Sequence, residues 1–278
     1  MRQIKIVADS SSDVLALEGV TYACAPMKII TAEREFADDA ALDVDEMAEF
    51  LYNYKGQSKS SCPNVNDWLE AFGDADDIFC VTITSGLSGS YNSACMAKDI
   101  YESEHEGRRV FVLDSLSAGP EIKLIIECIQ ESIRAGMDYE DIRARVREYT
   151  RQTGLLFMLK SLKNFANNGR VSPAVAKIAG IMGICIVGRA SDEGTLEPSH
   201  KCRGEARSLE TLLTDLEVLG LREGKVRIAH CQNEEAACKL KAMILAKFGK
   251  AKVEIHKLRG LCSFYAEKGG VLVGFEKI

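Results

Sequence analysis

Residues 78–104, IFCVTITSGLSGSYNSACMAKDIYESE, contain the transition that says most about the fold. An apolar run predicts a buried strand over residues 78–84, and a helix is predicted to follow as far as about Glu104. Small residues separate the two, and their glycines let the backbone approach a ligand closely. The start of such a helix offers unpaired N–H groups and the positive end of its dipole, which suits an anion.

The same order of strand, polar loop and helix recurs along the chain. Further apolar runs predict strands near residues 4–7, 110–113, 155–158, 226–229, 253–255 and 271–275, with helical apolar stripes between several of them. Strands that alternate with helices favour an α/β fold with a largely parallel sheet. In a doubly wound sheet, the polar loops at residues 9–13, 84–90 and 114–119 would gather at the carboxyl edge, where ligands bind.

A change in character near residues 150–155 predicts a domain boundary. A strongly charged helix is predicted over residues 139–151, and the chain beyond it has a glycine-rich turn and a polar stretch at 189–204 that we interpret as a loop or short hairpin. We therefore predict two α/β domains, residues 1–153 and 154–278. The first of them is expected to carry the largely parallel, doubly wound sheet.

Composition narrows the class of protein. The net charge of −6 and the lack of a basic stretch argue against nucleic acid as the partner. No apolar run reaches membrane-spanning length. The ten cysteines form no CxxC pair, so we expect reduced, mostly buried thiols in a cytoplasmic protein. Disulfides in a secreted protein are the alternative, but the first residues lack the apolar stretch that export requires.

Several catalytic and metal-binding patterns are missing. There is no Walker loop, residues 86–90 lack the last glycine of a GxSxG elbow, and the four histidines have no metal-binding spacing. We predict no catalytic residue, no metal and no cofactor. Asp9 after the first strand leaves one alternative, a phosphotransferase that uses the Asp9 and Ser88 loops. Ser11 stands where the acid–base partner of such a nucleophile is expected, which argues against it.

Three polar loops could carry a binding site. In the first, Ser88 or Ser90 either caps the following helix or binds a ligand, and both can hold at once. The second, residues 58–64, is predicted as a rigid polar turn. In the third, residues 167–173, Ser172 followed by proline predicts a helix start, so Arg170 lies in a turn between helices. Arg170 is then either a solvated surface side chain or a fixed cation for a phosphate or carboxylate.

Taken in order along the chain, these pieces resemble the DegV family. The matching segments are Asp9-Ser10-Ser11 with Asp13, Ser60-Ser61-Cys62-Pro63, the run from Leu87 to Ala94, Asp114-Ser115, the run from Asn168 to Ser172, and Lys201 with Arg203. The resemblance implies two α/β domains with a long-chain fatty acid in a tunnel between them. It also implies that some members present the lipid to a separate fatty acid kinase, which phosphorylates the carboxylate.

The resemblance also implies roles for individual residues. Ser60 and Ser88 are expected to hold the carboxylate, with Ser61, Gly89 and Asn92 beside them and Arg203 near the headgroup. The remaining residue, Arg170, is implied in docking to the kinase. Apolar wall residues are expected around the glycine turn, at Phe157, Leu159, Leu162, Phe165, Ile178, Ile181, Met182 and Ile184.

One segment departs from the family pattern. Members often have a histidine before a Gly-Pro-Gly near the C-terminus, whereas residues 262–270 here read CSFYAEKGG and contain no histidine. Tyr265 is our candidate for that place. The departure keeps a third interpretation open, a lipid sensor or storage protein without a kinase partner.

Overall fold

The computed structural model describes residues 2–175 and 183–277. Its first sheet has four parallel strands in the order β2-β1-β6-β7. The strands are Ile4–Asp9 (β1), Thr21–Ala25 (β2), Asp77–Thr82 (β6) and Arg109–Asp114 (β7). β1 pairs with β2 and β6, and β6 with β7, all in parallel. The strands predicted near residues 4–7, 78–84 and 110–113 are therefore confirmed.

Helices cover both faces of this sheet. They are Val65–Phe72 (α2) and Ser90–Glu104 (α3) on one face and Pro120–Arg134 (α4) and Tyr139–Tyr149 (α5) on the other. Alternate residues of β6 show the two sides, because Ile78 packs in the core with α2 and α3 while Phe79 packs with α4 and α5. A strand buried on both faces reads as a continuous apolar run, which explains the pattern at residues 78–84. The doubly wound prediction is confirmed.

The second sheet has six strands in the order β10-β9-β8-β13-β11-β12. They are Thr153–Leu159 (β8), Ile184–Ala190 (β9), Leu196–Arg203 (β10), Gly224–His230 (β11), Ala251–Lys257 (β12) and Val271–Glu276 (β13). Within it, β11 and β12 run parallel and the other neighbours antiparallel. The predicted hairpin at residues 189–204 is the β9–β10 pair.

The two faces of the second sheet have different neighbours. Glu205–Val218 (α7) and Glu234–Lys247 (α8) pack on one face together with Leu156 and Met158 of β8. The intervening β8 residues Leu155, Phe157 and Leu159 face the other side, toward Lys163–Asn167 (α6) and Gly260–Ala266 (α9). Because α7 and α8 cover the first face, only residues of the second face can line a cavity between the two large sheets.

Helix α4 joins the two sheets. Its residues Ile122 and Ile125 pack into the core of the first sheet. On its other side, Glu127 accepts two hydrogen bonds from the buried Arg227 guanidinium of β11, from Nε and Nη2, each at 2.8 Å. At Gly274 a Cβ would come within 2.5 Å of the Pro120 carbonyl carbon, so the strand β13 can approach α4 only with glycine there.

A third, small sheet was not predicted. Lys28–Ile30 (β3) pairs antiparallel with Glu35–Ala37 (β4) and with Lys59–Ser61 (β5), and Val44–Asn53 (α1) packs beside it. Three-residue strands are too short to produce a periodic signal. The consequence matters for function, because β5 contains Ser60 and Ser61, which the sequence had suggested to be part of a turn.

The predicted domain boundary between residues 153 and 154 stays a proposal. Helix α5 ends at Tyr149, a 3-10 turn spans Thr150–Gln152, and β8 of the second sheet begins at Thr153. None of the helices in the described ranges is both long and apolar enough to cross a membrane.

Candidate functional site

An apolar cavity of about 260 Å³ lies between the loops of the first sheet and the second face of the six-stranded sheet. Its apolar wall comes mainly from the second sheet and its neighbours, and includes Leu155, Phe157, Leu159, Phe165 and Leu272. Hydroxyl groups and one guanidinium line another part of it, from Ser60, Ser61, Ser88, Tyr265 and Arg170. The cavity is thus amphiphilic, as sites for small amphiphilic ligands are.

The hydroxyl groups of Ser60 and Tyr265 meet at the cavity, although the two residues are 205 positions apart in sequence. The Ser60 Oγ and Tyr265 Oη atoms are hydrogen-bonded at 2.7 Å. Tyr265 lies on α9 with its ring 4.7 Å from that of Phe165, so the aromatic body is held in the apolar wall while the hydroxyl faces Ser60. Burial raises the pKa of the Tyr265 hydroxyl, which therefore stays a neutral donor over the physiological range.

The loop around Ser60 is fixed on both sides. Before it, β5 pairs with β3, with Ser60 opposite Ile29. After it, Asn64 begins α2 with a capping box, in which Asn64 Oδ1 accepts from Asp67 N at 3.1 Å and Asp67 Oδ2 accepts from Asn64 N at 2.8 Å. The Ser60 hydroxyl is therefore held by regular structure rather than by a free loop.

The turn after α6 reaches across to both serine loops. Asn168 Oδ1 accepts from Ser60 N at 3.3 Å, and its Nδ2 donates to Ser58 O at the same distance. Arg170 Nε donates to Leu87 O at 3.2 Å, and Arg170 Nη1 donates to Asn168 O. Arg170 is thus half-buried at the cavity, next to Ser88, and the solvated-surface interpretation of this side chain is wrong.

The small-residue loop before α3 places Ser88 and Gly89 at the cavity. Gly89 is the N-cap of α3, and no side chain caps the helix from that position. Ser88 Oγ accepts from Ser90 N at 3.2 Å, so Ser88 supports the first turn from outside the helix. Ser90 itself is fully buried and donates to Asp9, so neither serine is an N-cap residue and the capping interpretation is corrected.

Asp9 anchors this loop from beneath. Its Oδ2 accepts from Ser90 Oγ at 2.6 Å and from Ile83 N at 2.9 Å, and its Oδ1 accepts from the backbone and side chain of Ser11. The carboxyl has no solvent exposure, and burial raises its pKa. Asp9 is not among the residues that line the cavity. As placed, it holds the loop and does not present a nucleophile.

Two of the predicted site residues lie away from the cavity lining. Asn92 is exposed on the first turn of α3, and Arg203 is exposed at the end of β10. Of the predicted wall residues, Phe157, Leu159 and Phe165 line the cavity, whereas Leu162 and Ile184 do not. The other three, Ile178, Ile181 and Met182, lie outside the described residues.

Several residues that line the cavity are not among the candidates named from the sequence. Thr84 and Ser117 lie in two of the polar loops that are predicted to gather at the carboxyl edge, so their loops were predicted but not their roles. Cys262 on α9 and the β9–β10 hairpin residues Gly194, Thr195 and Leu196 were not predicted. Gly194 has a φ of +73°, and a Cβ there would meet Leu116 Cα at 2.9 Å and also Thr84 Oγ1. The glycine among polar residues near the start of the stretch 189–204 was the available signal.

The described part of the chain contains no group of three or more His, Cys, Asp or Glu side chains arranged to hold a metal ion. Cys62 lies on the cavity, and burial raises the pKa of its thiol. Among the residues that the structure describes, the titratable and hydroxyl groups of the lining are therefore neutral hydroxyls, the neutral thiols of Cys62 and Cys262, and one guanidinium. Such a set can bind an anionic oxygen but offers no evident base at neutral pH.

Fold and site together define an α/β protein of two large sheets and one small sheet, with an amphiphilic cavity between the two large ones. A family model described as "Uncharacterised protein, DegV family" matches residues 3–277. The chain is also 40% identical over 276 residues to a DegV domain-containing protein of Streptococcus pneumoniae, covering 98% of both proteins. The chain belongs to the DegV family, as the sequence resemblance predicted.

Two solved structures are similar over nearly the whole chain. One is a DegV family protein from Eubacterium eligens loaded with heptadecanoic acid, with a TM-score of 0.97 and 44% identity. The other is the fatty acid kinase (Fak) B3 protein of Streptococcus pneumoniae loaded with linoleic acid, with a TM-score of 0.97 and 40% identity. Each comparison covers 99% of this chain and all of the other.

Proposed function

We propose that this protein binds one long-chain fatty acid in the cavity, with the carboxylate at Ser60, Ser88 and Tyr265. The observation that carries the proposal is the amphiphilic lining, in which the 2.7 Å Ser60–Tyr265 hydroxyl pair adjoins a wall of leucine and phenylalanine. A ligand that fits must be apolar along most of its length and polar at one end. The related proteins that were solved with heptadecanoic and linoleic acid support the same class of ligand.

The energetics are consistent with neutral headgroup donors. Burial of a methylene contributes about 0.8 kcal/mol, so fourteen of them contribute roughly 11 kcal/mol before the several kcal/mol that association costs. The headgroup donors then need only prevent an unpaired buried carboxylate. Ser61 and Gly89, which also line the cavity, complete the proposed headgroup set.

We further propose that the bound lipid is presented to a separate fatty acid kinase, with Arg170 at the contact. Arg170 adjoins Ser88 through the Leu87 carbonyl, and its Nη2 has no partner among the residues the structure describes. A guanidinium in that position can bind the carboxylate, or the phosphoryl group that a kinase transfers from ATP to a carboxylate oxygen. The ten cysteines are all free, which supports the reducing cytoplasm as the compartment.

Tyr265 favours one second candidate, a lipid sensor or storage protein without a kinase partner. This side chain lines the cavity beside Ser60 and is our candidate for the place where family members often have a histidine. The two candidates separate in one assay, because purified kinase subunit with ATP would convert the bound lipid to an acyl phosphate only if presentation occurs. The phosphotransferase alternative would instead require ATP or acyl-phosphate turnover by this protein alone.

Native mass spectrometry of the purified protein tests the lipid proposal directly. We expect one added mass of a fatty acid, which denaturation releases and which extraction then identifies. Delipidated protein should regain that mass when it is incubated with a panel of fatty acids. A protein that stays unliganded through the whole panel would remove the proposal.

Arg170→Ala and Arg207→Ala form a matched pair for the presentation step. Arg170 lines the cavity, so its removal should weaken fatty acid binding as well as kinase-dependent phosphorylation. Arg207 is exposed on α7 and lies away from the lining, so its removal should change neither. Equal losses in both variants would instead indicate a general effect of surface charge.

A further inference from the structure

The short helix α9, which carries Tyr265, is held at its start by two carboxylates from the N-terminal part of the chain. Asp13 Oδ1 accepts from Arg259 N at 2.8 Å. Asp38 Oδ1 accepts from Gly260 N at 2.9 Å, and Asp38 Oδ2 accepts from Leu261 N at 2.8 Å. Three consecutive N–H groups at the helix start are thus satisfied by two side chains more than 200 residues away in sequence.

This arrangement replaces an ordinary helix cap. The N-cap residue of α9 is Arg259, whose side chain makes no capping hydrogen bond. The unpaired N–H groups of a helix start are usually satisfied by a local Ser, Thr, Asp or Asn. Here Gly260 allows the Asp38 carboxyl to take the place of a local cap, because a Cβ at residue 260 would come within 2.7 Å of Asp38 Cγ. The N–H groups at the start of helix α9 are therefore satisfied by Asp38 rather than by a local cap, while its apolar side chains pack into the core.

Asp38 and Ser60 belong to the same small structural unit. Asp38 follows β4, is fully buried, and donates its own N–H to Met27 O at 2.8 Å. Met27 directly precedes β3, and β3 pairs with β5 so that Ile29 lies opposite Ser60. The small sheet therefore fixes the relative position of the Asp38 carboxylate and the Ser60 hydroxyl.

A closed ring of contacts follows. Leu261, whose N–H Asp38 binds, lies four residues before Tyr265, which is about one helical turn. Tyr265 then returns to the small sheet through its 2.7 Å contact with Ser60. Asp38 thus holds one end of this helical turn, and Ser60 contacts the tyrosine hydroxyl at the other end.

We propose that Asp38 is a positioning residue for the lipid headgroup, which sets the Tyr265 hydroxyl against Ser60 by holding the start of α9. The inference rests on the proposed function, because it makes affinity for a carboxylate depend on a residue that does not line the cavity. Asp13 assists through one hydrogen bond where Asp38 makes two, so its contribution is the smaller. The ligand class is a long-chain carboxylate, because an ionised carboxylate oxygen accepts a stronger hydrogen bond from a positioned hydroxyl than an alcohol oxygen does.

Asp38→Asn is the test variant, since asparagine keeps the size but can accept only through one oxygen. Asp99→Asn is the matched control, because Asp99 is exposed on α3. The ligands are palmitic acid and hexadecanol, whose tails are equal in length. We expect Asp38→Asn to weaken acid binding by about tenfold and alcohol binding by less than about threefold. Equal losses for both ligands would overturn the positioning role and leave a structural one.

A double-mutant cycle with Tyr265→Phe separates positioning from general destabilisation. If Asp38 acts through the tyrosine hydroxyl, Asp38→Asn should lower acid affinity no further once that hydroxyl is gone. If the loss of binding free energy in the double variant equals the sum of the losses in the two single variants, the proposal is contradicted. Where Asp38→Asn fails to fold, Gly260→Ala serves in its place, because it moves α9 from Asp38 and leaves the carboxylate intact.

A readout without lipid distinguishes failure of this inference from failure of the proposed function. The protein contains eight tyrosines, and fluorotyrosine labelling gives each a ¹⁹F resonance, with that of Tyr265 assigned by its absence in Tyr265→Phe. In ligand-free protein we expect Asp38→Asn to shift this resonance and Asp99→Asn to leave it unchanged. An unshifted resonance overturns the positioning role even if the wild-type protein binds fatty acid. A shifted one supports it even if no fatty acid binds.

Discussion

The headgroup hydroxyls Ser60 and Ser88 belong to separate loops that meet at one cavity. A hydrogen bond to a charged group contributes roughly 1.5–3 kcal/mol, and about 1.4 kcal/mol corresponds to a tenfold change in affinity. We therefore expect Ser60→Ala and Ser88→Ala each to weaken fatty acid binding by about tenfold or more, with the folded structure kept. Fluorescence competition with a labelled fatty acid measures this.

Ser199→Ala is the control for the two serine variants, because Ser199 is exposed on β10 and does not line the cavity. Its affinity should match that of the wild-type protein. If Ser60→Ala and Ser88→Ala also bind with unchanged affinity, the carboxylate lies elsewhere and the headgroup assignment fails.

Tyr265 makes a prediction about pH. Burial raises the pKa of its hydroxyl above the usual value near 10, so it donates unchanged from about pH 6 to 9. A bound carboxylate is ionised over the same range. Wild-type affinity should therefore be flat with pH. In Tyr265→His the new side chain titrates near pH 6.5, so affinity should rise as the pH falls through that value.

The two profiles are measured by isothermal titration across pH 6 to 9, with Tyr52→Phe as the control because Tyr52 is largely exposed. A wild-type affinity that rises at low pH, in parallel with the histidine variant, would mean that another group controls the headgroup. A flat profile for Tyr265→His would mean that this position does not contact the carboxylate.

Sequence alone could identify residue types but not the direction in which each side chain points. Ser88 and Asn92 are four apart, which suggests one helix face. The helix begins only at Ser90, however, so Ser88 precedes it and Asn92 is exposed on its first turn. The direction of the Arg203 side chain could not be predicted either. Its strand β10 lies at the edge of the sheet and is exposed along most of its length. The binding roles of both stay predictions.

At the level of elements, the β9–β10 hairpin covers the cavity from the second sheet. Gly194 at its tip has a φ of +73° and packs against Thr84 and Leu116. Gly194→Ala adds a methyl group where those atoms already lie, so the tip must move away from Thr84. We expect lower stability, by about 1–3 kcal/mol beyond the backbone strain, and faster dissociation of the fatty acid.

Gly136→Ala isolates the backbone contribution of that substitution. Gly136 has nearly the same φ, +72°, but no atom within 4 Å of the position of its Cβ. This control should therefore lose stability through strain alone and release lipid at the wild-type rate. Equal dissociation rates for the two variants in a stopped-flow experiment would show that the hairpin tip does not hold the ligand.

The elements themselves could be predicted where their signals were long. The run at residues 78–84 and the stripe that begins at Leu124 each correspond to an observed element, β6 and α4. The small sheet could not be predicted, because strands such as Lys28–Ile30 are shorter than the run of about four alternating residues that indicates a strand. Nor could the mixed direction of the second sheet, since strand order depends on long-range pairing such as that of β8 with β13.

At the scale of the whole molecule, the first and last parts of the chain interlock around buried carboxyl groups. Asp9, Asp13 and Asp38 lie beneath the cavity, and burial raises the pKa of all three, that of Asp13 to about 8. Arg259 N–H donates to Asp13, and the Cys262 thiol and the Asp38 carboxyl are the nearby titratable groups. A folded protein that keeps a carboxyl protonated binds more protons than its unfolded chain, whose Asp pKa is near 3.9.

The sign of the pH dependence follows from this difference. Stability due to Asp13 is greatest below about pH 4 and is lost as the pH rises through about 8. The buried His256, whose pKa burial lowers to about 3, acts in the opposite direction, but its contribution is complete above about pH 6.5. Between about pH 7 and 8 His256 therefore no longer opposes the carboxyl effect.

We accordingly expect the free energy of unfolding in urea to fall between pH 7 and 8, with a slope of at most about 1.4 kcal/mol per pH unit for each such carboxyl. Asp13→Asn keeps an oxygen for the Arg259 N–H but cannot ionise, so the slope of this variant should be shallower. Asp99→Asn should retain the wild-type slope, because that side chain is exposed. A wild-type profile that rises or stays level over this interval would contradict the proton assigned to Asp13. An unchanged slope in Asp13→Asn would assign that proton to another buried carboxyl of raised pKa, such as Asp9, Asp38 or Glu121.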